Sequence, residues 1–170
     1  MVRALAEKDV DEFINIRMDS LRLSPNSFGA DPNANIDREG TRLDLQAKNE
    51  ENFILGYFER DQLIGMIGFI REKSNKKRHK GFIWGVFVYA EYRGRGIGEK
   101  LMESCLHKLS TIYELEKVVL TVSNTSTEAI ALYKKFGFRQ FGIEKKSMKW
   151  QDEYVDEIYM EKLLKNGADT

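Results

Sequence analysis

Gly94, Gly96 and Gly98 fall at alternate positions in the segment Val88-Tyr89-Ala90-Glu91-Tyr92-Arg93-Gly94-Arg95-Gly96-Ile97-Gly98, where an apolar run gives way to an amphipathic one. Lacking side chains, such residues let the backbone turn tightly and bring its N–H groups against a ligand. A helix starting there adds unpaired N–H donors and the positive end of its dipole, so the segment is suited to phosphate. Two common phosphate motifs do not fit. A P-loop needs Lys-Ser or Lys-Thr after its last glycine, and Glu99-Lys100 follows here. A dinucleotide fingerprint needs glycine or alanine at position 99, which is glutamate. A tight strand-to-helix turn with no ligand is the competing reading of these glycines. A second segment, Ala129-Ile130-Ala131-Leu132-Tyr133-Lys134-Lys135-Phe136-Gly137-Phe138, sets one phenol on an otherwise apolar helix face.

Arg93-x-x-Gly96-x-Gly98 after an apolar strand matches the R/Q-x-x-G-x-G/A pyrophosphate motif, and the second segment is similar to an A-I-x-L-Y-x-x-x-G-F block. Both belong to the GCN5-related N-acetyltransferase (GNAT) superfamily and stand here in its order and spacing, so the chain is identified as a member. The resemblance is clearest from Leu63 to Phe138. It is weaker at the ends, which include Arg17 and Leu21 on the N-terminal helix and Asp156-Glu157 near the last strand.

The resemblance implies a mostly antiparallel, mixed α/β (α+β) sheet of six to seven strands with about four helices, splayed between strands four and five. It implies acetyl-CoA as co-substrate, with the pantetheine arm lying in the splay like an added strand and pairing with backbone groups around Phe87 and Val88. The pyrophosphate is expected on the N–H groups of Arg93, Gly94, Arg95, Gly96, Ile97 and Gly98, with Lys100 near the adenosine end. By register from Ala129, the family's frequent asparagine is Ser126 here, with Asn124 two residues upstream. Ser126 is expected to keep one hydrogen bond to the cofactor. Helix capping is its alternative role, to which Thr125 with Glu128 also has a claim.

The implied reaction is direct: a primary amine attacks the acetyl carbonyl, a tetrahedral oxyanion forms, and CoA thiolate departs. The oxyanion needs a fixed donor, for which a fourth-strand N–H near Val88 is expected. The thiolate needs a hydrogen bond or a proton from Tyr133, the expected catalytic residue. An ordinary tyrosine titrates near ~10 and a thiol near ~8.5, so full proton transfer runs about 2 kcal/mol uphill and hydrogen bonding stands beside protonation. The other reading of Tyr133 is a core aromatic beside Ile130. Many relatives carry a glutamate on strand four as general base, but Phe82 to Val88 holds no titratable group. The base is left open among His79, Glu91 and a water chain. His79 has a suitable ordinary pKa, but it sits in Arg71–Lys80, where six Lys or Arg residues read more simply as a solvated turn.

The elements that must position these groups follow from periodicity. Val2 to Leu5 is a short strand. A helix from Asp9 to Arg22 has the stripe Val10, Phe13, Ile14, Met18 and Leu21, with Asp9 and Glu12 at capping-box spacing. Both prolines fall in the loop Ser24 to Asn35, and a second helix spans Asp37 to Asn49. Phe53–Phe58 and Leu63–Ile70 form a hairpin around Glu59-Arg60-Asp61-Gln62. Phe82–Tyr89 leads through the glycines into a helix with stripe Ile97, Leu101, Cys105, Leu109 and Ile112. Val118–Val122, a helix over Ser126–Phe136 closed by Gly137, and strands Phe138–Lys145 and Tyr154–Glu161 complete the chain. A strand–helix–strand crossover makes the strands flanking the Ile97 helix parallel neighbours. No linker divides residues 1–170, so one domain is expected.

With 170 residues and one cysteine, the chain has no intrachain disulfide framework, and Cys105 with His79 and His107 makes a poor zinc set, so no metal is expected. The longest mostly apolar run, Gly81 to Ala90, is about half the ~20 residues of a spanning helix. No secretory pattern opens the sequence, and a cytoplasmic protein without membrane association is expected. The 27 basic and 27 acidic side chains balance, which speaks against a nucleic-acid-coating protein. The acceptor is open: Arg17, Arg22, Asp31, Asp37 and Arg38 carry both signs, and Trp84, Trp150 and Tyr154 could line a pocket or pack. A small-molecule amine is the expected partner. A protein or peptide N-acetyltransferase and a non-catalytic acyl-CoA sensor are the alternatives, and a homodimer fits the family's habits.

Overall fold

Leu63 to Phe69 is apolar at nearly every position, the pattern of a strand covered on both faces. The computed structural model describes residues 1–165 and places that run in the interior of a seven-stranded sheet. The last five residues of the expected domain, 166–170, lie outside the described residues. The elements are β1 (Val2–Ala4), α1 (Val10–Leu23), α2 (Arg38–Gln46), β2 (Asn52–Glu59), β3 (Gln62–Arg71), β4 (Lys80–Val88), α3 (Ile97–Leu109), β5 (Lys117–Ser123), α4 (Thr127–Lys135), β6 (Arg139–Trp150) and β7 (Glu153–Leu163). The sheet order is β1-β2-β3-β4-β5-β7-β6, antiparallel except for β4 beside β5. This is the expected mixed sheet with its parallel crossover.

Two cores follow from the two covered faces. Ile64, Ile67 and Phe69 of β3 pack with Leu101, Met102, Cys105 and Leu109 of α3 on one side. Leu63 and Met66 pack with Val10, Phe13 and Ile16 of α1 and Leu45 of α2 on the other. Cys105 is fully buried, and burial pushes its thiol up to about 12, the behaviour of an inert core residue. The α1 stripe is rotated from its expected setting: Ile16 is the fully buried residue, while Ile14 and Met18 are half-buried.

The N-terminus of α1 also departs from expectation. Asp9 and Glu12 do not form a capping box. The Asp9 carboxylate accepts the Ala6 N–H at 2.9 Å and a two-pronged bond from Arg3 at 2.7 and 2.8 Å, closing a 3-10 turn over Glu7–Asp9. The Arg3 hydrogen bond holds the Asp9 carboxyl below its ordinary range, with the Ala6 N–H adding to the effect. A depressed folded pKa gives stability that is complete above the unfolded value and is lost as pH falls through the folded one. Asp9→Asn is therefore expected to cost about 1–2 kcal/mol at neutral pH. Urea midpoints should show that gap shrinking between about pH 7 and about pH 2.5; a gap independent of pH would refute the assignment.

The arrangement of β4 and β5 makes the site. They pair only at Lys80↔Lys117, Gly81↔Val118 and Phe82↔Val119, then diverge. The closed end of this wedge is bolted. The His79 carbonyl accepts the N–H groups of Glu116 and Lys117 at 2.7 and 3.0 Å. Arg71 donates to Glu51 at 2.6 Å, to the Arg78 carbonyl at 2.5 Å and to the Tyr113 carbonyl at 3.0 Å. The basic segment expected to be wholly solvated thus carries one buried arginine, because three acceptors converge there. Further along, Met66↔Phe87 and Gly68↔Trp84 leave one extra residue on β4. Gly85 absorbs it at φ +63, a left-handed setting that suits glycine, and this forms a β-bulge facing the open end of the wedge.

Candidate active site

Beyond Phe82 the edge of β4 has no strand partner, and a cleft of about 980 Å³ occupies the gap. Residues 82–88 form one wall, and Leu120–Val122 with one face of α4, from Thr127 to Lys135, form the other. At its mouth, Gly94 and Gly96 both have φ +73, and a Cβ on either would meet nothing within 4 Å. Gly96 caps α3. The first bond into that helix is donated by the Lys100 N–H to the Gly96 carbonyl at 3.0 Å. The N–H groups of the turn that opens α3 therefore have no helical acceptor, and the space beside Gly94 and Gly96 holds no protein atom within 4 Å of a Cβ position.

Tyr133 is 5% exposed, lines the cleft, and stacks edge-on against Phe138 with ring centroids 6.0 Å apart. Burial raises the pKa of its phenol well above the ordinary value. One side of the cleft is closed by the loop after α1. Phe28 meets Phe87 edge-on at 6.4 Å, and Ser27 shares a 3.0 Å hydrogen bond with Ser126 at the start of α4. The Tyr89 hydroxyl donates to Asp19 at 2.7 Å, fixing α1 to the end of β4. Gly68 leaves room for the Trp84 indole to lie flat on β3, since a Cβ there would come within 2.3 Å of the ring.

A cleft between splayed parallel strands, with an N–H cradle at its mouth, accords with the sequence match. The family model described as Acetyltransferase (GNAT) family matches residues 12–138, more than half of the chain. The chain belongs to the GNAT family. It is 26% identical over 107 residues to spermine/spermidine N(1)-acetyltransferase of Bacillus subtilis (strain 168), covering 59% of this chain and 70% of that protein. Among solved structures it is similar to a GNAT acetyltransferase from Streptococcus pneumoniae, with TM-score 0.87, 21% identity and coverage of 96% and 99%. It is also similar to a phosphinothricin acetyltransferase from Sinorhizobium meliloti, solved in complex with AcCoA. There the TM-score is 0.85, the identity 17% and the coverage 100% and 91%. At these identities the two structures speak for the fold, and the family match for an acetyltransferase enzyme.

On this GNAT enzyme the expected residues fall as follows. Phe87, Val88, Arg93, Gly94, Gly96, Ile97, Gly98, Ser126 and Tyr133 all line the cleft. Arg95 does not line it: its side chain turns to Glu59 at 3.5 Å and lies over the Tyr92 ring. The Arg93 N–H is already given to the Ala90 carbonyl at 3.2 Å, and its Nε to the Val88 carbonyl at 2.9 Å. Ser126 makes no capping bond, and Thr125 bonds to Ser123 rather than capping α4, so the Thr125–Glu128 box is not formed. His79 is exposed at the bolted end of β4 and Glu91 is exposed in the turn after it, and neither lines the cleft. Trp84 lines it, whereas Trp150 and Tyr154 sit at the tip of the β6–β7 hairpin.

Sequence reasoning missed Gly85, Ser27 and Phe28 as cleft-formers, and gave Glu157 no role. Glu157, on β7 opposite Ser123, lines the cleft and accepts a hydrogen bond from Ser147. The Asp156-Glu157 pair was the signal that could have found it. Among the described residues, no group of three or more His, Cys, Asp or Glu could hold a metal, and no helix is long and apolar enough to cross a membrane.

Proposed function

We propose that this acetyltransferase takes its acetyl group from acetyl-CoA and passes it to the primary amine of a small molecule. The observation that carries the reading is the wedge that ends in an N–H cradle. The N–H groups from Gly94 to Gly98 lie before the first helical bond of α3, beside open space at Gly94 and Gly96, which suits a diphosphate. The β4 edge at Phe87 and Val88 has no strand partner, its Val88 carbonyl being held by Arg93 Nε, and it suits the amides of a pantetheine arm. Bound there, acetyl-CoA supplies an acetyl thioester.

The chain's own groups would then act in order along the cleft. Peptide N–H groups released by the Gly85 bulge would donate to the carbonyl oxygen as charge develops on it. The Tyr133 hydroxyl would donate to the sulfur. Glu157, whose backbone lies within the sheet rather than at the cleft mouth, is the carboxylate suited to take the amine's proton, directly or through water. The Ser27–Ser126 bond favours a small acceptor, because the loop that makes it spans the side on which a peptide would have to lie. Calorimetry should show coenzyme A binding, and thiol release from acetyl-CoA should be faster with small amines than with peptides bearing free α-amino or lysine groups. No heat with coenzyme A would overturn the donor, and faster turnover of peptides would overturn the acceptor.

A further inference from the structure

Arg17 is a half-buried cation without an ion partner among the described residues, although Asp37 and Asp44 line a hollow beside it. Its Nη1 is shut off from solvent and has no hydrogen-bond partner, and the guanidinium makes no ion pair among the described residues. The contacts that fix it are aromatic: the guanidinium carbon lies 5.6 Å from the Phe28 ring centroid and 5.7 Å from that of Trp84. The Gly85 bulge faces it, with Nη1 3.9 Å from where a Cβ would stand. Arg17 lines both the main cleft and a neighbouring hollow of about 460 Å³ between α1, α2 and Trp84. It therefore stands where the acceptor side meets the cleft. About 10 Å of strand separates Gly85 from Val88, with the glycine turn beyond, so Arg17 is remote from the diphosphate cradle.

Taking a charge out of water without a partner costs several kcal/mol. Burial accordingly pulls the Arg17 pKa down, yet a guanidinium stays protonated at any working pH. The two rings hold its plane, and an arginine fork so held matches a carboxylate in two-pronged geometry.

We propose that the acceptor is an amino acid whose carboxylate is seated on Arg17, which presents its amine to the cleft. This inference rests on the donor reading above. It would set this enzyme apart from its polyamine-acetylating relative, because a second cation on the acceptor would meet Arg17 with like charge; of the two aspartates that line the neighbouring hollow with Arg17, Asp44 is already paired with Lys48 and Asp37 stands on the far, α2 side. Arg17 is a specificity residue, and the bare charge is the mark of a ligand-sized gap in the protein's own ion pairing.

The test uses the whole chain, acetyl-CoA, the twenty L-amino acids, their decarboxylated amines and spermidine. The expected result is turnover of one or more amino acids with kcat/KM at least thirtyfold above the matching amine lacking the carboxylate. Arg17→Met, which keeps the apolar stem, should lose that preference through KM, while coenzyme A affinity changes less than twofold. Its Tm should be unchanged or higher, since a buried unpaired charge has been removed. Arg17→Lys should recover only part of the preference, having charge but no fork. Titration of the preferred amino acid into the CoA-bound protein should change Trp84 fluorescence in the parent and not in Arg17→Met. Fastest turnover of spermidine or a decarboxylated amine, turnover of no panel member, or an unchanged preference in Arg17→Met would each overturn the inference. Absence of coenzyme A binding to the parent would instead overturn the donor reading beneath it.

Discussion

Replacing Tyr133 with phenylalanine is expected to lower kcat between about tenfold and about a hundredfold, the range for losing a hydrogen bond of about 1.5–3 kcal/mol to a charged group. Coenzyme A should bind the variant within about twofold of the parent. The hydroxyl lies in the cleft and makes no bond to any described residue, so its removal leaves no protein group unsatisfied. The ring keeps its edge-on contact with Phe138, and folding stability should hold.

How Tyr133 would act can be tested separately from whether it acts. Burial raises its pKa, and no cation bonds to the hydroxyl among the described residues to steady a phenolate left behind. Donation of a hydrogen bond to the departing thiolate is therefore favoured over full transfer of the proton. Since the phenol stays neutral far into the alkaline range, the pH profile of kcat should keep the same alkaline limb in parent and variant. A limb near about pH 9 present in the parent and absent from Tyr133→Phe would assign the proton transfer to this residue instead. Turnover equal to the parent's would remove Tyr133 from the reaction.

Which parts of this arrangement could be read from the residues depends on how local their causes are. The hairpin at Glu59–Gln62 was legible although Arg60-Asp61 is no common turn pair, because the flanking runs leave two residues to adopt the left-handed settings at φ 48 and 66. The α3 stripe and the parallel neighbours were legible for the same reason: period and crossover handedness are properties of short segments. The bulge was not. Gly56, Gly65, Gly68, Gly81 and Gly85 all sit within strands, and of these only Gly85 has positive φ, through a register with β3 that no local pattern encodes. The far end of β6 beyond Lys145 was missed because edge strands carry charge, and Lys146 to Lys149 reads as polar loop.

The acceptor side was the least legible because its defining features are relations between distant residues. Ser27 and Ser126 are separated by 99 positions. Arg17 is one of several charges on its helix and loop, and sequence cannot say which of them lacks a partner. Its neighbours resolve the ambiguity: Arg38 pairs with Asp11, whereas among the described residues Arg17 has no ion partner and lies near the faces of Phe28 and Trp84. Charge composition therefore left the substrate open, while charge pairing singles out Arg17 as the residue to test.

Gly96→Val is expected to weaken coenzyme A binding about a hundredfold, as for loss of one or two hydrogen bonds to a charged group. Two effects add. At φ +73 a side chain is strained by about 1–2 kcal/mol, and that strain tends to turn the peptide out of the setting that presents its N–H. The Cβ also enters space within 4 Å of which no protein atom lies, so within the protein it collides with nothing, and only a bound ligand would register it. Thermal unfolding should consequently fall by no more than the backbone strain requires, while the ligand loses its seat. S-acetylpantetheine, which lacks the diphosphate, distinguishes local from general damage. Parent and variant should use it equally well as donor, because it needs the β4 edge and Tyr133 but not the cradle. If the variant bound coenzyme A as tightly as the parent, the diphosphate would have to sit elsewhere. If it lost S-acetylpantetheine turnover as well, the substitution would have disturbed the wedge itself, and the glycine turn would be a structural hinge rather than the anion seat.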